Sequence, residues 1–166
     1  FLVVFILVAL SVLPRFVVGE EKMAMPFGGK DDVKFAEKMW KAMEDYQMWM
    51  IQSDMIPGKS PHGAFVRLYY NVVNVDGKPY HVIIKDNFMP NKQLAAVTVM
   101  LQREAGYDPG NNNWFWVKYD ADGTVSKNDK SMALAGRVAK GMDAGCIACH
   151  KKADDDDYVF VNDSKM

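Results

Sequence analysis

Only two of the 166 residues are cysteine and only three are histidine, which confines thiol and imidazole chemistry to Cys146, Cys149, His62, His81 and His150. A zinc site takes about four ligands, and once both cysteines are spent only His62 and His81 stand beside His150. Net charge is also scarce: 20 basic against 21 acidic side chains give −1, which makes no electrostatic case for nucleic acid or an anionic membrane as partner. There is no internal repeat. The one low-complexity tract, four aspartates at 154–157, reads as a solvated charge run more readily than as a cation site. With 49% apolar and 25% charged residues, a chain of this length is expected to form one globular domain with a real core.

What the chain does have is a run of five residues near its end, Cys146-Ile147-Ala148-Cys149-His150. Two thiols separated by two residues and followed at once by histidine is the attachment pattern of c-type haem. The thiols add across the vinyl groups, and the spacing delivers the imidazole to the iron as proximal ligand. The rival reading of a redox dithiol lacks the strand-helix context such motifs sit in and leaves His150 without a role.

The first stretch, FLVVFILVALSVLPRFVVG, has the apolar run and small-residue end of a secretory signal and is short for a comfortable helical span. Residues 1–19 are therefore expected to be a signal whose own start is missing; an uncleaved anchor is the alternative. Export to a periplasm agrees with covalent haem. Residues 20–30, aperiodic and containing Gly and Pro, read as a flexible entry, and 31–166 as the haem domain.

Within that domain, Phe35, Ala36, Met39, Trp40, Met43, Tyr46 and Met50 recur at three- and four-residue intervals, predicting an amphipathic helix that ends before Pro57-Gly58. Such a Met and aromatic stripe reads as core before it reads as a haem cradle. Four β-branched and aromatic runs follow, AFVRLYYNVV, YHVIIKDNF, LAAVTVMLQ and WFWVKYD, separated by Gly, Asp, Pro and Asn clusters. They predict an antiparallel meander with one face on the helix, an α+β fold. The Ala-rich segment 132–145 predicts a short helix, interrupted by glycines, leading into the haem motif. Trp114 and Trp116 alternate with Phe115, so the tryptophans share one face, in core or at a dimer interface.

Sixteen residues follow His150, and the only methionine among them is the terminal Met166. The pocket over the other haem face must then come from the upstream sheet and helix. Without a strong sixth ligand the iron is open or weakly occupied, which suits binding a small molecule better than plain electron transfer through a Met or His sixth ligand.

The order PHGAFVRLYYN, HVIIKDNF, VTVMLQREAGYDPGNNNWFWVKYDADG, GCIACH, DYVFVND resembles the cytochrome P-460 and cytochrome c′-beta family over residues 40–163. The resemblance implies a mostly antiparallel sheet with helices, one haem c, a dimer, whether with itself or a paralogue, and a periplasmic home with a redox partner cytochrome. In the P-460 enzymes, which oxidise hydroxylamine, a lysine at the end of the second strand is cross-linked to the haem and a glutamate on the next strand relays protons. The matching lysine is Lys85, and Thr98 stands where the acid is expected. In the c′-beta branch aromatic side chains cap a pocket that binds nitric oxide or carbon monoxide, and Phe65 and Phe88 match that role. Arg67 matches a family arginine that either pairs a haem propionate or serves the sheet surface. His62, in a Pro-Gly loop, and His81, at a strand start, read as structural or exposed rather than as ligands.

Overall fold

A computed structural model describes residues 25–154 and 157–160; the proposed signal, 1–19, lies outside them. No helix among the described residues is long and apolar enough to cross a membrane. The fold is α+β: a six-stranded antiparallel sheet in sequential order, β1 (Ile56–Pro57), β2 (Phe65–Val75), β3 (Lys78–Phe88), β4 (Leu94–Gln102), β5 (Trp114–Asp120) and β6 (Ala135–Gly136). The four apolar runs of the sequence are β2 to β5. Asp76 and Gly77 close the β2–β3 hairpin with φ of 53° and 79°, the double positive-φ turn that matches strand twist.

Helix α1 (Lys30–Ala42) carries Asp31 and Asp32 in its first turn and Lys41 in its last, each favourable to the helix dipole. Ala36, Met39, Met43 and Tyr46 bury against Tyr69, Ile84, Val97 and Phe115 of the sheet, so the Met and aromatic stripe is core, as its periodicity predicts. Each large side chain so buried stabilises the fold by roughly 1.5–3 kcal/mol. The helix is shorter than the periodicity predicts. Met43 closes it, Asp45 turns left-handed at φ 62°, and a 3-10 turn, Tyr46–Met48, follows. Past that turn the stripe fails, and Met50 is 97% exposed.

The other sheet face buries a second cluster, in which Met100, Trp114 and Trp116 meet Val138, Ile147 and Tyr158 of the C-terminal segment. Phe27 joins this cluster, 4% exposed and bridged to Gly136, so the described part of the entry segment is anchored to the sheet rather than loose. The helix expected over 132–145 does not form. Gly136, Gly141 and Gly145 take positive φ (107°, 73° and 117°), as does Ala139, and the segment supplies β6 and a series of turns. Helix α2 (Cys146–His150) is the CIACH motif itself. One sheet thus separates α1 on one side from the motif on the other.

Candidate haem site

Ile147 anchors α2 in the second cluster and leaves Cys146, Cys149 and His150 at the i, i+3 and i+4 positions of one turn. His150 is 9% exposed, and its Nδ1 lies 2.8 Å from the carbonyl oxygen of Tyr158. An imidazole that donates Nδ1–H to a carbonyl presents Nε2 as its lone-pair nitrogen, the arrangement that orients a metal-ligating histidine. Burial lowers the His150 pKa below its ordinary value, partly offset by the bond to Tyr158, which keeps the ring neutral and able to ligate. Trp116, Phe160 and His62 surround it at ring-centre distances of 4.9, 5.4 and 6.0 Å.

These rings sit in a cavity of about 480 Å³. Its sheet wall is largely apolar, built by Leu68, Ile83, Met100 and Trp116 with Lys85 and Thr98 among them; its other walls are the 56–62 loop, both cysteines, Asp154 and Phe160. Ladder register explains the sheet wall. Leu68, Lys85, Thr98 and Lys118 are successive cross-strand partners, so they form one row on one face. Burial pulls the Lys85 amine from 10.5 down to about 8, with the two cysteines acting in the opposite direction. The Thr98 hydroxyl lies 3.2 Å from the Asn87 amide nitrogen, whose group also donates to the carbonyls of Lys85 and Ala96.

The same register places three expected site residues elsewhere. Phe65 pairs with Phe88 and Arg67 with Asp86, on the α1 face, and none of these lines the cavity. Phe65 and Phe88, expected as caps, do not line this cavity: with Lys85 and Leu68 turned inward, strand alternation turns residues one and three positions away to the other side. Arg67 belongs instead to a buried polar group in which Asp86 accepts from Tyr46 (2.7 Å) and Tyr69 (3.1 Å). Its guanidinium helps lower the carboxyl pKa, although burial prevails and raises it.

Two cavity residues escaped the sequence reading. His62 is brought in by a loop in which Gly58 donates to Ala64 and Ala64 to Phe88, each at 2.8 Å. Burial, with Lys85 and His150 nearby, pushes its pKa down to about 4. Asp154, read as part of a solvated run, lines the cavity four residues past His150. Neither has a local sequence signal, since long-range packing places both.

The donor set disfavours the rival chemistries. Reactive dithiols have lowered thiol pKa values, whereas burial raises Cys146 to about 11. His81 is exposed on the far part of β3, and among the described residues no group of three His, Cys, Asp or Glu is placed to hold a metal ion. One oriented imidazole, two thiols on its own turn and a largely apolar cavity fit a haem, with His150 to hold the iron and the thiols within reach of the macrocycle's edge.

Such a fold and site fit a haem-binding cytochrome. The chain matches the family model described as Cytochrome P460 over residues 35–161, and it belongs to that family. No curated protein and no solved structure gives a significant match.

Proposed function

We propose that this protein is a periplasmic cytochrome carrying one haem c, joined through Cys146 and Cys149 and held by His150, that binds nitric oxide, carbon monoxide or a similar small ligand in nitrogen metabolism. A redox partner cytochrome and a dimeric state belong to this reading through the family resemblance. The observation that carries it is the row Leu68, Lys85, Thr98: the neighbour of Lys85 across the ladder is a hydroxyl, not a carboxylate, in a largely apolar wall. A Thr hydroxyl does not ionise near neutral pH and is a poor general base. A small uncharged ligand enters such a wall without uncompensated charge burial. The haem supplies the iron that binds the ligand; the protein positions His150, excludes water with Ile83, Met100 and Trp116, and sets the polarity beside the bound molecule through Thr98 and Lys85.

A second reading, hydroxylamine oxidation at a haem cross-linked to Lys85, is favoured by two observations. Lys85 faces the cavity, and Asp154 supplies a carboxylate to its wall. Oxidising hydroxylamine releases protons along with electrons, and in this reading Asp154, an exposed carboxylate lining the cavity, accepts them.

The optical spectrum of the ferric and dithionite-reduced protein, together with the mass of the haem peptide, separates the two. An ordinary c-type reduced spectrum that changes with carbon monoxide or nitric oxide, and a peptide mass without an added lysine bond, supports gas binding. A reduced Soret band shifted far to the red with the extra bond would overturn it in favour of hydroxylamine oxidation. Cys146→Ser with Cys149→Ser should abolish haem that survives acid-acetone extraction; retention would contradict the attachment.

A further inference from the structure

His62 stands opposite the proximal ligand in a way that neither the motif nor the strand pattern requires. The two imidazoles share one cavity, with ring centres 6.0 Å apart and planes at 83°. Two imidazoles on opposite sides of one metal, each with its nitrogen about 2.0–2.1 Å from the ion, hold their ring centres roughly 6 Å apart. Rotation about each metal–nitrogen bond leaves the angle between their planes unrestricted, so perpendicular rings satisfy that arrangement as well as parallel ones do.

The loop that carries His62 is built to fixed dimensions. Its own amide donates to the Lys59 carbonyl at 2.8 Å. Gly58 and Gly63 pack so closely that a Cβ on Gly58 would lie 2.6 Å from the Gly63 oxygen, and one on Gly63 2.6 Å from the Phe88 oxygen. Gly63 also has φ +83°, a conformation that side chains other than glycine's rarely take. The loop is thereby tied to β3 beside Asn87, whose Nδ2 is held by three acceptors, leaving its buried Oδ1 as the acceptor toward His62, a contact that works against the burial lowering that imidazole's pKa. Asn87 thus keeps an acceptor in place beside the His62 ring. Metal-ligating histidines are commonly steered by such a partner on the nitrogen that does not face the metal.

We propose that His62 is the second axial ligand of the haem iron in the resting protein, displaced when a small ligand binds. This rests on the reading of the cavity as a haem c site centred on His150 and adds the group that occupies the sixth position. No electron or proton changes hands in the displacement: one iron–nitrogen bond breaks and one iron–ligand bond forms. A displaceable histidine also makes the site selective, because only a ligand that binds iron more strongly than imidazole gains entry.

The test is the spin state of the intact holoprotein, read by electron paramagnetic resonance and optical absorption. The wild-type ferric protein should be low-spin at neutral pH. His62→Ala should convert it to high-spin, added imidazole should restore the low-spin signal, and carbon monoxide should bind the reduced variant at least tenfold faster than wild type. His62→Gln, closer in size, should show the same change and guards against a loop that fails to pack around alanine. A wild-type protein that is already high-spin overturns the proposal. So does a low-spin signal that persists in both variants, which would assign the sixth position to another side chain. Failure of the functional reading looks different: no carbon monoxide or nitric oxide would bind either wild type or the variants, whatever their spin state.

Discussion

Lys85 and Thr98 are direct partners across the β3–β4 ladder, and both side chains face the cavity. A carboxylate in place of the hydroxyl would stand beside the lysine amine on the same row. If Lys85 is joined to the haem, Thr98→Glu should raise hydroxylamine turnover by on the order of 10²-fold, the range that a positioned general base contributes. If Lys85 is free, the added anion favours the ammonium form and should move the lysine titration upward from about 8. The two outcomes are read by steady-state turnover and by a pH titration of the haem spectrum. A cross-linked protein with unchanged turnover would remove Thr98 from the acid's place.

On the opposite face, Asp86 predicts a pH dependence of stability. Burial raises its pKa above 3.8 despite the bonds from Tyr46, Tyr69 and Gln47. Between 3.8 and the raised value the folded chain binds more protons than the unfolded chain, so this residue's contribution to stability grows as pH falls through that window. It is flat at higher pH, where both states are ionised. Asp86→Asn has no such titration. Urea denaturation of both proteins should therefore show the wild type gaining on the variant between pH 7 and pH 4; a constant difference would contradict the burial argument.

The sequence made the sheet legible because β2 to β5 alternate or run apolar and end at Gly, Asp, Pro and Asn clusters, and it singled out CIACH, which lines the cavity, because that motif is local. Which residues line the cavity was only partly legible. Lys85 and Thr98 were named through the family resemblance, and the β3–β4 register puts both on the cavity wall. That Phe65, Phe88 and Arg67 lie off the cavity wall was not legible, because motif order does not show which face a residue takes, and one step along a strand reverses it. His62 and Asp154 were missed because loop and C-terminal packing, not periodicity, carry them to the site. The 132–145 segment was misread as helical because its alanines outweighed the three glycines that take positive φ.

Gly123 offers a direct check on how α1 meets the sheet. It has φ +87°, and a Cβ there would overlap Cε2 and Nε1 of the Trp40 indole. Trp40 packs on Tyr119 at 4.7 Å between ring centres, so it has little room to retreat. Gly123→Ala combines a disfavoured backbone conformation with overpacking and should cost about 2–4 kcal/mol in chemical denaturation. A loss under about 0.5 kcal/mol would mean that the turn or the indole relaxes freely.

Lys140 links the loop after β4 to the segment that leads into α2. Its Nζ lies 2.6 Å from Asp108 Oδ1, and the Asp108 side chain is fully buried while that of Lys140 is 41% exposed. Asn111 donates to the other carboxylate oxygen at 2.9 Å. Lys140→Met leaves that anion buried with its neutral donors alone. The full penalty for breaking a buried pair is about 3–5 kcal/mol; with one partner partly in water, screening should reduce it to roughly 1–3 kcal/mol. Because Lys140 precedes α2 by six residues, this loss should be accompanied by a change in the haem spectrum as His150 loses its fixed setting. Asp108→Asn with Lys140→Met removes both charges and should recover most of the stability. If the double variant is no more stable than Lys140→Met alone, the cost lies in lost packing of the lysine stem rather than in the stranded carboxylate.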